Sequence, residues 1–392
     1  IDSGLQPAEY DEISKHIPPF QHFVHMDFHA DLIINKVTSP DGVVILTEHM
    51  VTFFNHDIFD KSLKVLKPIY LIEILKVKTE NNEVSKLFTK SLVIEIHAKE
   101  SNMFIRTLLR NYTLAYPMLP KQLRFEFQTH NPDLFPFYVP RMSPSQFFQF
   151  QYNSNCAFYM VKYCHEVAQY FHQLVKTGNA IFDFNQLPIH LLMNEFGKLS
   201  DLRPITLSLM FSICIMGINC DNIKKPDIIQ NVSSIIMTSK KLKVVRLVNT
   251  ECTAGAAILG SSLFQNSSVV YWDLSGNMLE DMSQFMIGLS KVTNQILSLK
   301  FERCAMNSQS LSLLLSAISN NTFFYGLRQL CLAGNRMDEK VCNEFANLLE
   351  KFQNINQKHI SSISLGPVDS ISLIVHSINI CDQPISKLKF YA

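Results

Sequence analysis

The sequence predicts a multidomain protein of mixed class. An α+β unit, an antiparallel β-barrel closed by a C-terminal helix, is followed by an α/β solenoid of strand, turn and helix repeats. Three observations predict it. β-rich runs between residues 28 and 100 give way at Ser101 to apolar residues at helical spacing. Residues 131–153 combine prolines that break regular structure with too many aromatics for a flexible tether. After residue 240 one spaced apolar pattern recurs at least three times. A chain of 392 residues exceeds one ordinary core, and 47% hydrophobic against 18% charged residues favours burial over disorder.

In chain order, residues 1–20 read as an N-terminal extension. Residues 21–130 read as the barrel. Asp41-Gly42 signals a turn before Val43-Val44-Ile45-Leu46, and a second run, 50–54, follows across Thr47-Glu48-His49. Runs at 69–77 and 92–98 flank the polar stretch 79–83. Ser101 reads as an N-cap for a helix carrying Phe104, Leu108, Tyr112 and Ala115, which Pro117 and Pro120 end. Several strands closed by one helix is the order of a pleckstrin-homology-like barrel. Residues 131–180 read as a packed linker, irregular to 153 and then helical over 156–176 with Tyr159, Tyr163, Val167, Tyr170 and Leu174 on one face.

Residues 181–392 carry the repeats. The template L-x-x-L-x-L-x-x-(N/C)-x-L fits Val269, Trp272, Leu274, Asn277 and Leu279. It fits Ile296, Leu299, Phe301, Cys304 and Met306, and then Leu327, Leu330, Leu332, Asn335 and Met337. Looser copies place Thr250 and Val368 at the ninth position, so that 250, 277, 304, 335 and 368 are 27, 27, 31 and 33 apart. That length leaves room for one helix per repeat, at 254–266, 282–294, 310–321, 340–352 and 369–379. This is the pattern of a ribonuclease-inhibitor-like leucine-rich-repeat domain. Asn277, Cys304 and Asn335 are its expected ladder, side chains that bond buried turn backbone along the stack. Backwards, Phe211, Cys214, Met216 and Asn219 fit a degenerate copy, and Phe182, Phe184 and Leu187 a weaker one. The uncharged run 204–220 then reads as repeat core and not as a membrane span. A last strand near 385–391 stops in mid-repeat, so the repeat domain is expected to be truncated at its C-terminal end.

Composition excludes several functions. Lys plus Arg is 35 against 34 acidic residues, a net charge of +1, which argues against a nucleic-acid binder. Nine scattered cysteines without CxxC spacing predict reduced thiols in the cytoplasm, with no zinc module and no disulfide framework. The common hydrolase, nucleotide-binding and zincin motifs are missing, and His165-Glu166-Val167-Ala168-Gln169 has Gln where a second zinc ligand belongs. His22, His25 and His29 would share a face in a helix but not in the adjoining β-region, so no metal site is predicted. The chain is therefore read as no enzyme, with no catalytic residue and no cofactor.

Two sets of residues remain as binding candidates. Between the inner apolar positions of the repeat strands a column reads Arg246, Asp273, Lys300, Cys331 and Ser364, with Arg303 and Arg328 nearby. Its mixed sign suits a protein partner. In the barrel, Lys36, Lys61, Lys64 and Lys67 could meet an anionic membrane weakly, although the first hairpin carries only Lys36, beside Asp41.

The domain order resembles the CARMIL family, linkers of actin capping protein, actin nucleation and myosin I. The resemblance rests on 46–54 (LTEHMVTFF), the helix and exit 108–127, and 271–280 (YWDLSGNMLE) with 330–338 (LCLAGNRMD). It implies a cytoplasmic scaffold at actin networks and the plasma membrane, with protein partners of the actin cytoskeleton and a homodimer formed through regions beyond this chain. That family's capping-protein-binding segment follows its repeats and matches nothing here. The alternatives are a leucine-rich-repeat regulator of a small GTPase, similar to Ran GTPase activators, and a generic interaction module.

Overall fold

The computed structural model describes residues 9, 11, 13, 15, 24–56, 63–134, 141–193, 200–223, 225, 227–250, 255–265, 268–278, 283–354, 360–368 and 387–390. The chain divides into two compact units, 1–164 and 165–392.

Among the described residues the first unit holds eight strands. They are β1 (Val24–Ile34), β2 (Val37–Thr47), β3 (Met50–His56), β4 (Leu63–Tyr70), β5 (Ile74–Thr79), β6 (Val84–Thr89), β7 (Val93–His97) and β8 (Glu126–Gln128). They form one sheet in the order β4-β3-β2-β1-β7-β6-β5-β8, antiparallel except for the β5–β8 pair. Among the described residues no pairing joins β4 to β8. Along β1 the residues Met26, Phe28, Ala30 and Leu32 are buried and their neighbours are not, the period of a strand with one wet face. Helix α1 (Ser101–Ala115) covers that face with Phe104, Leu108 and Tyr112, and the rings of Phe28 and Phe104 lie 5.6 Å apart. Ile13, from the predicted N-terminal extension, is buried in one core cluster with Val43, Ile45, Phe54 and Leu63.

Four local expectations are corrected here. The first hairpin turns at Asn35 and Lys36, both with positive φ, while Asp41-Gly42 lies inside β2 at a register shift where Asp41 takes φ +52°. Bulge and turn ask the same thing of the backbone, and the residue types alone do not separate them. Ser101 is the first helical residue; Glu100 is the N-cap, without a side-chain cap bond. The linker's irregular part contains helix α2 (Pro144–Phe158), because Pro144 occupies the first turn, where no amide is lost, and Ser143 and Gln146 bond each other's backbone amides in a capping box. The single helix expected over 156–176 is two, α2 and α3 (His165–Thr177), divided at Met160, which has φ +54°. The linker is thus shared between the units.

A buried polar cluster ties the β2–β3 turn to α1 and α2. Asn111 on α1 donates to the Thr47 carbonyl at 2.8 Å and accepts from His25 Nδ1 at 3.0 Å. His49, 5% exposed, meets Ser154 Oγ on α2 at 3.0 Å, and Ser154 donates to the Phe150 carbonyl, so the His49 Nδ1 carries the proton. Burial first, and the nearby His25 second, push the His49 pKa down to about 4.

The second unit is a parallel sheet in strict chain order. Its strands are β9 (Ile181–Asp183), β10 (Gly217–Asp221), β11 (Val244–Val248), β12 (Tyr271–Asp273), β13 (Ser298–Lys300), β14 (Gln329–Leu332), β15 (Ser362–Leu365) and β16 (Lys387–Phe390). Helices α4 (Arg203–Leu209), α5 (Ile228–Thr238), α6 (Ala256–Gln265), α7 (Ser283–Ser290), α8 (Ser308–Asn320) and α9 (Glu339–Asn354) return the chain between successive strands from β9 to β15. The helix expected over 369–379 lies outside the described residues. Phe182, Ile218, Val245, Trp272, Leu299, Leu330 and Ile363 stand in one register line, each at most 2% exposed. Each such side chain contributes about 1.5–3 kcal/mol on burial. This register corrects the degenerate copy: Ile218 and Cys220 pair with Val245 and Leu247, so its frame is Ile215, Ile218 and Cys220, four residues beyond the one predicted. No helix is long and apolar enough to cross a membrane among the described residues, and the uncharged run 204–220 is divided between α4 and β10.

Helices α6 and α7 meet backbone to backbone. A Cβ on Gly260 would sit 2.5 Å from the Gln284 carbonyl oxygen, and one on Gly288 would collide with the Gly260 carbonyl. Only glycine fits at either position.

Two predictions follow from these contacts. The unfolded chain protonates His49 near pH 6.5 and the folded chain near 4, so stability present above pH 6.5 is lost as pH falls toward 4 and then levels off. The gap amounts to about 3 kcal/mol. Urea melts between pH 7.5 and 4 should show this slope, and His49→Gln should remove most of it. Gly288→Ala should cost about 1–3 kcal/mol of overpacking strain, read as a lower urea midpoint at unchanged m.

Candidate functional site

The ladder fixes the strand ends from which the candidate face is built. Asn277 Nδ2 donates to the Leu247 and Leu274 carbonyls, both at 2.7 Å, while its Oδ1 accepts from the Thr250 amide at 2.8 Å. Asn335 repeats the arrangement, donating to Phe301 and Leu332 and accepting from the amides of Cys304 and Met306. Cys304 supplies the donor half, with Sγ directed at the Leu274 carbonyl at 3.3 Å. Leu247, Leu274 and Phe301 occupy the same position in successive repeats, so each ladder side chain reaches one repeat back. All three side chains are buried.

Parallel pairing then sets the column side by side. Arg246 pairs with Asp273, Asp273 with Lys300, Lys300 with Cys331, Cys331 with Ser364 and Ser364 with Lys389. Asp183 and Asn219 extend it toward β9. Neighbours lie about 4.8 Å apart across the strands. Arg246 is held by two carboxylates, Asp221 at 3.3 Å and Asp273 at 3.8 Å. Glu302 meets Arg303 at 3.7 Å. Cys331 is buried, and that burial pushes its thiol pKa up although Lys300 pulls the other way. It is a poor nucleophile for that reason.

Two clefts open on this face and share Arg246, Asp273 and Lys300. One, of about 290 Å³, lies toward the strand starts and includes Val244, Tyr271 and Gln329. The other, of about 330 Å³, lies toward the strand ends and includes Asn249, Glu302 and Arg303. Tyr271, Glu302 and Gln329 are not among the predicted site residues. The period of two in a strand would have found them, since each sits two residues from a column position. Of the predicted set, Arg246, Asp273, Lys300 and Arg303 are brought together. Arg328 is exposed at the start of β14 and lines neither cleft; its carbonyl accepts the amides of Ser361 and Ser362.

The rim of the second cleft has a backbone regularity of its own. The residues before Ile223, Thr250, Asn277, Cys304 and Asn335 are left-handed: Asn222, Asn249, Gly276, Arg303 and Gly334 have φ between +51° and +73°. Glycine and asparagine tolerate that region; arginine adopts it at a cost of about 1–2 kcal/mol. The result is a cationic side chain held out from the turn, 79% exposed.

The lysines of the first unit are not gathered in this way. Lys36 lies in the β1–β2 turn and Lys64 in β4, one residue from Val65, which aligns through Phe54 with Val43. Lys36 and Lys64 are therefore about 20 Å apart along the strand direction. Lys67 pairs with Phe53 by backbone register, and Lys61 lies outside the described residues. His25 and His29 are engaged by Asn111 and Asp41 respectively, and His22 lies outside the described residues. Among the described residues no group of three His, Cys, Asp or Glu could hold a metal ion.

No family model matches the chain, and no curated protein matches it. Among solved structures, the crystal structure of the C-terminal domain of an unknown protein from Leishmania infantum is similar at 10% identity, over 27% of this chain and 92% of that one, with a TM-score of 0.20. A score that low carries no argument about fold or function.

The ladder yields a prediction of its own. Asn335→Ala leaves two carbonyls and two amides without their buried partner and should cost about 3 kcal/mol or more. Asn335→Cys keeps the donor, as Cys304 does, and should cost less; urea midpoints of the two variants check the order.

Proposed function

We propose that the chain is a non-enzymatic scaffold that recognises a protein partner on the exposed face of its parallel sheet. The observation that carries this reading is the column from Arg246 to Lys300, where charges of alternating sign stand on adjacent strands over two open clefts. Such a pattern favours a partner with its own mixed charges and disfavours a polyanion. The second unit, on this reading, is a leucine-rich-repeat solenoid, supported by chain-ordered parallel strands and the Asn277, Cys304 and Asn335 ladder. The first is a pleckstrin-homology-like domain, supported by seven strands ordered 4-3-2-1-7-6-5 before one covering helix.

A place in the actin cytoskeleton at the plasma membrane, and a homodimer through regions beyond this chain, rest on the family resemblance described above. Weak membrane contact by the first unit rests on the same resemblance and not on a lysine cluster.

Charge reversal tests the proposal. Quantitative affinity capture from cytosolic extract, with the full chain and its R246E/D273K/K300E variant as baits, should show partners reduced at least about tenfold on a variant with unchanged melting temperature. Equal recovery on both baits would overturn the proposal.

A further inference from the structure

The two clefts share three residues but differ in chemistry, and the difference indicates what lies across them. In the first, Tyr271 is 41% exposed beside Val244, an apolar surface in water. In the second, the positive charges are unequally engaged. Arg246 is neutralised by Asp221 and Asp273. Lys300 forms no ion pair among the described residues, and Arg303 has only the long Glu302 contact there while its side chain stands in solvent. Unmet positive charge is therefore concentrated at Lys300 and Arg303, one step from unmet apolar surface at Tyr271.

Register gives the spacing of that step. Tyr271 pairs with Ser298, and Lys300 is two residues further along β13. One strand across and two residues along is about 8 Å. In an extended peptide, residues i and i+2 have side chains on one side about 7 Å apart. The carboxylates of Asp273 and Glu302 repel a phosphate backbone more strongly than they repel a single carboxylate drawn to Lys300 and Arg303.

We infer that this face binds a short extended peptide of a partner protein. It sets an aromatic or branched aliphatic side chain against Tyr271 and Val244, and an Asp or Glu two residues away between Lys300 and Arg303. The inference rests on the proposed recognition role of the face and deepens it by naming the peptide chemistry. The strained left-handed backbone at Arg303 fits this role, because it holds a cation at the rim where its neighbours in the series are Asn249, Gly276 and Gly334.

The test is selection. A phage-displayed library of random peptides of about twelve residues is panned over the immobilised full chain, and recovered peptides are synthesised and measured by fluorescence anisotropy. Recovered sequences should carry an aromatic or branched aliphatic residue two positions from an Asp or Glu. Their affinity should fall at least about tenfold on Lys300→Glu, on Arg303→Glu, and on exchange of the peptide's acid for Lys. The Lys-bearing peptide should regain affinity on Lys300→Glu. Lys300→Met, which keeps the stem and removes the charge, should weaken binding with unchanged melting temperature. Peptides without an acidic residue that are lost on the R246E/D273K/K300E variant would overturn the acidic-peptide inference and leave the recognition face standing. Peptides indifferent to every one of these variants would overturn both, and recovery of no peptide above background would overturn this inference.

Discussion

A parallel strand of three to five residues ends in a turn, and the inner residues of these turns, Leu247, Leu274, Phe301 and Cys304 among them, are buried away from water. The second unit is organised around this constraint. Three turns are served by a side chain one repeat further on: Asn277 serves the turn at Thr250, Asn335 the turn at Cys304, and Cys304 the Leu274 carbonyl. The bond therefore fixes each repeat against its predecessor as well as closing the turn. The left-handed residues Asn249, Gly276, Arg303 and Gly334 answer the same constraint, since the chain must reverse tightly enough for the ladder side chain that follows to point inward. Strand register, and with it the alignment of Arg246, Asp273 and Lys300, follows from these fixed ends.

The first unit meets a related demand by other means. Its β2–β3 turn is covered by two helices, which leaves Thr47 and His49 dry, and the polar partners come from Asn111 and Ser154. Burial favours the neutral histidine at this position, although the Glu48 carboxylate lies 3.5 Å from Nε2. The helix that supplies Ser154 is the one that begins at Pro144.

What could be read from the sequence was what repeats or alternates. The apolar template located the strands from β11 to β14 because leucine-like residues at positions four and six have no other place to go than the core. It failed at the degenerate copy, where Cys214, Met216 and Asn219 imitate the spacing that Ile215, Ile218 and Cys220 fulfil; only pairing with Val245 decides between the two frames. Pro144 was read as a breaker since its tolerance at a helix start depends on Ser143 and Gln146 bonding across the first turn. Of the candidate site, the column was legible from strand periodicity. The left-handed backbone at Arg303, the double pairing of Arg246 and the separation of Lys36 from Lys64 depend on three-dimensional register, which local residue types do not encode.

The glycine contact between α6 and α7 bears on the shape of the candidate face. Adjacent parallel strands lie about 4.8 Å apart, whereas packed helices ordinarily stand 8–10 Å apart. A stack of such repeats bends because its helical layer is wider than its strand layer. Where Gly260 and Gly288 let two helix backbones touch, that mismatch shrinks and the strands above them are wedged apart less. These helices follow β11 and β12, the strands that carry Arg246 and Asp273. The contact on the far side of the sheet thus sets the local curvature under both clefts, and a side chain added there would change how widely they open without touching a residue that lines them.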